Sequence, residues 1–244
     1  MITKSLSFQT DKINITTENY NISALIDKDA TEYFATAKLT VNNCSVELVE
    51  ELELNTKISV YTIIEKLEVL AFEGYVKNIQ TTKQPKGNNI FIQLFCTSEP
   101  PENKININLE ETTTNDIIKA IEEQAPFKID NFLTLTQEYP LFSAYNTPSE
   151  LLISLQCLNK FYLFIENGEA LIFEKAFKNQ GLKFEEYKMN TLDNKYTFTT
   201  TDITQNYEIG DEIQLINATA TIIRTFKKFF NNLPWEIQVT TIIK

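Results

Sequence analysis

The chain has 244 residues, 43% of them hydrophobic, 23% charged and 11% aromatic, with only 5 Gly and 7 Pro. That composition excludes collagen-like, low-complexity and disordered classes, because the apolar surface is large enough to offset the entropy of ordering the backbone. Thirty-three acidic against 22 basic residues give a formal charge of -11 and a pI near 4.7, a surface that repels phosphate and argues against unaided nucleic-acid binding.

Residues 1–10 alternate apolar and polar side chains without the continuous apolar stretch of a secretory signal. The longest apolar runs, such as Val69-Leu70-Ala71-Phe72, fall far short of the roughly 20 residues that a membrane-crossing helix needs. A soluble protein made in a reducing cytoplasm, with no direct membrane insertion, is the expectation. Through the first hundred residues, segments 2–8, 33–41, 46–54, 58–64, 69–79 and 90–96 show a period near two. They are rich in Val, Ile, Thr, Tyr and Phe, which predicts half-buried strands. Asn42-Asn43 and Lys86-Gly87-Asn88-Asn89 read as turns, because Asn and Gly tolerate positive φ. The second of these joins a predicted hairpin of residues 74–82 and 89–97. Glu99-Pro100-Pro101-Glu102 then ends the strand pattern, since paired prolines remove two ladder donors.

The period changes after residue 101. Thr113-Thr114-Asn115-Asp116 is a variant capping box ahead of Ile117, Ile118 and Ile121, predicting a short amphipathic helix that ends near Pro126. Thr147-Pro148-Ser149-Glu150 combines an N-cap, a proline at the first helical position and a Glu three residues after the cap. It predicts a second helix with Leu151, Leu152, Leu155 and Leu158 on one buried face. Residues 161–166 and 169–173 flank Asn167-Gly168, the dipeptide of a two-residue type I′ hairpin turn. Strand-like segments return at 196–200, 212–216, 220–226 and 235–243, with Gly210 at a tight entry. The predicted fold class is α+β, mainly β. Two small, tube-like β-barrel domains, 1–100 and 176–244, bracket an α/β insert, 101–175, that carries two short helices.

Composition also restricts chemistry. The chain has no histidine, so triad hydrolysis, His-based zinc sites and His general-base catalysis are excluded for the chain by itself. Cys44, Cys96 and Cys157 are far apart and lack any CxxC spacing; they read as small buried apolar residues, with a reactive thiol as the alternative. A single arginine, Arg224, precludes recognition of phosphates or bases by an arginine cluster. The carboxylate doublets Glu50-Glu51, Glu110-Glu111, Glu122-Glu123 and Glu185-Glu186 read as solvated. Neighbours in a strand point to opposite faces, whereas a glycosidase needs two carboxylates about 5–9.5 Å apart across a cleft. No G-x-S-x-G, GxGxxG, P-loop or EF-hand pattern occurs. Alternation in Phe161-Tyr162-Leu163-Phe164 predicts a strand covered on both sides rather than a stacking platform. Phe226 to Phe230 read as core in the same way. Arg224, Lys227 and Lys228 form a basic spot too small to be a nucleic-acid groove, and Trp235 is either core or an interface anchor. No catalytic, cofactor-binding or metal-ligating residue is assigned, no cofactor is expected, and interface residues stay unassigned.

The succession of segments resembles that of phage baseplate-hub proteins, which join the tail tube to the central spike and share their fold with spike proteins of contractile injection systems. Leu70-Ala71-Phe72-Glu73-Gly74-Tyr75-Val76 is similar to their "iF-x-G-x-V" strand. A hairpin, a polar linker, a helix opened as at Thr113 to Ile118, an extended segment at Pro140 to Tyr145, the helix at Thr147 to Leu158 and a hairpin over residues 161–173 follow in the family's order. Gly210-Asp211-Glu212-Ile213, with Thr219 to Phe226 and Trp235 to Thr240, is similar to the family's last barrel. The resemblance spans roughly residues 57–244, in a chain shorter than many hubs. It implies a homotrimeric ring that adapts a sixfold tube to a threefold spike, partnered by tail-tube and spike proteins in the virion tail tip. DNA would be passing cargo, assembly would take place in the host cytoplasm, and no catalytic residue is carried over. A carbohydrate-binding or adhesin-type module is the alternative, and a carboxylate-dependent glycosidase a more distant one.

Overall fold

The computed structural model of the chain describes residues 4–83, 90–134, 136–174, 178–183, 190–192, 195–200, 207–214, 219–230 and 234–243. The N-terminal stretch runs β1 (Lys4–Gln9), β2 (Asn14–Thr16), β3 (Asn21–Asp29), β4 (Thr36–Cys44), α1 (Val46–Glu51), β5 (Lys57–Ile64), β6 (Leu67–Lys83) and β7 (Ile90–Thr97). The middle holds β8 (Ile105–Thr113), α2 (Thr114–Glu122), β9 (Lys128–Asn131), β10 (Glu138–Asn146), α3 (Pro148–Asn159), β11 (Tyr162–Glu166) and β12 (Glu169–Phe173). The C-terminal stretch adds β13 (Lys178–Lys183), β14 (Asn190–Leu192), β15 (Lys195–Thr200), β16 (Asp211–Gln214), β17 (Thr219–Phe230) and β18 (Glu236–Ile243). The α+β, mainly β class is borne out.

Alternation builds the main sheet. In β3, β4 and β7 every second side chain is buried, from Ile22, Ala24 and Ile26 through Leu39 and Val41 to Ile92 and Leu94, as a pleat with one face on a core requires. The hydrogen-bonded order is β14-β15-β18-β17-β3-β4-β7-β6-β5-β1-β2, with β16 also on β17 and β13 on β16. Strands from both ends of the chain thus share one network through the antiparallel β3–β17 pair, which runs from Asp29↔Arg224 to Ser23↔Phe230. Among the described residues this path is open, ending at β14 and β2, so the expected barrels are not closed by strand pairing. The middle stretch forms a two-stranded β8–β10 ribbon and a three-stranded sheet in which β9 runs parallel to β12. Three apolar clusters result. One is centred on β1 to β7, one on residues 105–172, and a smaller one on Tyr207, Ile213, Ala220, Ile222, Ile237 and Val239.

Local expectations fare unevenly. The predicted strand at 46–54 is instead α1 and its exit: Ser45 caps it by accepting from the Leu48 amide, and Leu48 and Leu52 are both buried, four residues apart. The same apolar residues satisfy a helical period, and the N-cap decides between the two. Asn42-Asn43 is not a turn between elements. Asn43 does adopt a left-handed φ of 62°, but inside β4, where the register with β7 slips between Val41 and Cys44, making a bulge. The β6–β7 hairpin is present, while its predicted turn at 86–89 lies outside the described residues. Both capping boxes form, at Thr113/Asp116 and Thr147/Glu150. Helix α2 ends at Glu122, short of Pro126, and Leu158, in the last turn of α3, is 59% exposed rather than buried. Asn167 and Gly168 have φ of 53° and 75°, the two positive values of a type I′ turn.

The α3 geometry makes a quantitative expectation. Thr147 holds the Glu150 amide at 3.3 Å, and Leu155 is fully buried between α3 and the strands it covers. Thr147→Ala should cost about 1 kcal/mol and Leu155→Ala about 2–5 kcal/mol in denaturant unfolding. Negligible and equal losses at both positions would contradict this packing.

Candidate functional site

The residues that could have carried chemistry are dispersed. Cys44 and Cys96 are buried, and burial pushes their thiols up to about 11 and about 12, so they are inert at neutral pH. Cys157, expected inside, is exposed on α3. Glu50, Glu51, Glu110, Glu111, Glu122 and Glu123 are all exposed, as read from the sequence, and Glu185-Glu186 lies outside the described residues. Among the described residues, no group of three or more His, Cys, Asp or Glu side chains could hold a metal ion. Phe161, Leu163 and Phe164 are buried and Tyr162 half-buried, giving the doubly covered strand that alternation predicted. Trp235 is core: its ring meets Phe229 edge-on with centroids 4.8 Å apart, and its Nε1 donates to the Phe230 carbonyl at 3.2 Å.

The expected basic spot does not exist as a surface. Arg224 is half exposed, and its Nε donates to Asp27 at 2.9 Å with Asp29 at 3.5 Å. Lys228 binds Glu236 at 2.9 Å. Lys227 is only 6% exposed, on the inward face of β17 between Thr225 and Phe229. There it joins a buried charged cluster that the sequence reading missed. Lys28 continues the inward row Ile22, Ala24, Ile26 of β3 and is 2% exposed. Its Nζ lies 2.5 Å from Glu166 Oε1, at the end of β11, and 4.0 Å from Glu208 Oε2. Asp211, fully buried, accepts from the Glu208 amide at 3.0 Å, and Gly210 (φ 86°) lets the chain turn tightly between them. Alternation alone could have revealed Lys28, had the segment Asn21–Asp29 been read as a strand.

The electrostatics follow from burial. Desolvation disfavours charge on Lys28, but the Glu166 and Glu208 carboxylates outweigh it and hold its pKa above the ordinary value. For Glu166 burial wins over the attraction of Lys28, and its pKa is raised. Lys227 is pushed down to about 8 by burial and then by the like charge of Lys28, which Glu208, Glu166 and Asp211 offset only in part.

Two surface features stand out beside this interior one. Strand β6 pairs with β5 along its first half and with β7 from Tyr75 onward, so each half keeps one open edge among the described residues. The first half carries Leu67, Val69 and Leu70 exposed, next to a hairpin turn in which Glu65 and Lys66 both have positive φ. The outward side of β10 exposes Leu141 and Tyr145, with Lys104 Nζ 5.7 Å from the Tyr145 ring centroid. Apolar residues grouped on an open edge or face mark contact surfaces.

Because the folded pKa of Lys227 lies below its unfolded value, the unfolded chain binds the extra proton between about pH 8 and 10.5, and stability should rise with pH across that window. Lys227→Met should abolish the rise and increase stability at pH 7. Denaturation midpoints measured at several pH values check it, and parallel profiles for both proteins would refute it.

No protein-family model matches the chain, and no curated protein matches it. Solved structures do. The 43 kDa tail protein of prophage MuSo2 from Shewanella oneidensis superposes with a TM-score of 0.72 at 10% identity, covering 98% of each chain. A tail protein from Neisseria meningitidis gives 0.67 at 8% identity over 99% of this chain and 96% of the other. The E. coli c3393 protein gives 0.64 at 9% identity over 97% of this chain and 76% of the other; it is a component of the type VI secretion system described as similar in structure to the bacteriophage T4 tail proteins gp27 and gp5. At these identities the likeness is one of fold, and the chain has the fold of phage tail proteins and of this type VI secretion component, in agreement with the resemblance read from its sequence.

Proposed function

We propose that the chain is a structural subunit of a phage tail tip or baseplate, a hub protein whose homotrimeric ring connects the tail tube to the central spike and lines the channel. The observation that carries this reading is the end-to-end superposition on a phage tail protein, with nothing of substance left over in either chain. Three further features support it. The β-rich ends 1–100 and 176–244, which flank the 101–175 insert in this reading, are joined in one sheet and share the main apolar cluster, so each subunit presents two β-rich parts that can alternate around an axis. The exposed aliphatics on the open edge of β6 offer a surface for contact between subunits. The charge of -11 suits a wall past which a polyanion must slide without sticking.

In this reading the protein is not an enzyme, takes no cofactor, and works in the virion after assembly in the host cytoplasm. Its partners are tail-tube and spike or tail-tip proteins. Among the described residues no helix is long and apolar enough to cross a membrane. The type VI secretion component of E. coli makes an injection machine of the secretion type the second reading.

A reconstruction of the assembled particle should show three copies around the tail axis at the tip, more Asp and Glu than Lys on the channel wall, and each subunit contact burying more than about 1,000 Å². Six identical copies, one or two copies, or a position away from the tip would reject the hub assignment. A basic channel would reject the electrostatic part alone. Turnover of peptidoglycan or a model glycoside that vanishes on replacing one Glu or Asp would reject the non-enzymatic reading.

A further inference from the structure

We propose that Lys28 and Glu166, with Glu208, Lys227 and Asp211 around them, form an orientation clasp that holds the 105–173 region at one fixed angle to the main sheet. The groups come from β3, β11, the 207–211 turn and β17, so the cluster lies where all three stretches of the chain converge. The inference is independent of the hub reading.

The β11–β12 hairpin meets the main core through Phe164, Phe173, Tyr162 and Leu171, and apolar contact of that kind is strong but not directional. A sideways shift of one strand spacing would keep much of the buried area. The Lys28–Glu166 contact at 2.5 Å tolerates no such shift. Lys227 sharpens the penalty: if Glu166 moved away, two buried lysines would both lose its carboxylate, leaving Glu208 beside each and Asp211 beside Lys227. The backbone next to Glu166 is aimed by separate bonds. The Ile165 amide donates to the Tyr33 carbonyl at 2.7 Å, and the Ser98 hydroxyl donates to the Ile165 carbonyl at 2.5 Å while accepting from the Ala35 amide at 2.8 Å. Arg224, also on β17, is exposed and engages Asp27 and Asp29 instead. Buried ion pairs contribute little net stability compared with well-packed apolar replacements, whereas removing one partner is costly. The role left for this pair is to select one docking geometry.

The test uses the full chain with Lys28→Met, Glu166→Leu and the double substitution, followed by denaturant midpoints and residue-resolved hydrogen exchange. Each single variant should lower the midpoint, and the double variant should recover it to the wild-type value or above. In the double variant, amide exchange across residues 162–173 should speed by about tenfold or more while β4 and β7 keep wild-type protection. A double variant with both wild-type midpoint and wild-type exchange would overturn the clasp. So would a double variant as unstable as the singles, since the pair would then be a stability element, and so would single variants without any loss. Should a single variant fail to accumulate, the double variant decides by itself.

Discussion

The arrangement of the whole molecule depends on two strands that belong to two cores at once. Along β11 and β12 the cross-strand partners Tyr162↔Phe173 and Phe164↔Leu171 turn toward the main core, and Leu163↔Ile172 and Ile165↔Ala170 turn toward the core of the middle region. Partners share a face, so the division is clean, and a one-residue slip would exchange the two sets. Neither face can accept an unpaired polar residue without a desolvation cost. This is why the segment reads as apolar sequence broken only by Glu166-Asn167-Gly168-Glu169 around the turn. The tight turn fixes the register, the register sorts the side chains, and the sorted faces join the helices α2 and α3 to the sheet built from both ends of the chain.

A second constraint is the antiparallel β3–β17 pair, which joins residues some two hundred positions apart. A contact of that sequence separation carries a large loop-closure entropy and forms only when side-chain burial rewards it. Its inward row supplies that reward with Ile22, Ala24, Ile26 and Phe229, and departs from it with Lys28, Thr225 and Lys227. Charges within this inward row are tolerated because Glu166 and the 207–211 turn deliver carboxylates to the same spot.

Those same lysines explain where the sequence was opaque. The hairpin at 161–173, both capping boxes and the β6–β7 pair were legible because their signals are local: a dipeptide with a defined turn, a cap with its partner three residues on, an uninterrupted period of two. Strand β3 was missed because Asp27-Lys28-Asp29 looks like a solvated terminus, and only the distant Glu166 makes Lys28 an interior residue. Lys227 was assigned to the surface for the same reason. The α1 segment failed differently, since Val46 to Leu54 fits both periods and Ser45 alone separates them. Ribbon β8–β10 combines exposed Leu141 and Tyr145 with exposed polar residues on β8, so its pattern says strand without saying which side is inside.

The candidate contact surfaces were not legible at all, and the reason is physical rather than a matter of pattern strength. An apolar residue that covers a core and one that waits for a partner are chemically the same, and alternation reports only that a strand has two faces. Leu67, Val69 and Leu70 become informative once β6 is seen to pair with β5 on one half and β7 on the other, leaving two half-edges on opposite sides of the strand, one in the half that carries these aliphatics and one in the half that carries Lys77, Asn78 and Gln80. The polar half is protected from association by its own solvation, and the aliphatic half is not. In the proposed ring, an interior clasp that fixes the angle of the middle region and an exterior edge that invites a neighbour are complementary: closure needs the same angle in every copy, because a heterologous contact whose rotation does not close propagates into a filament.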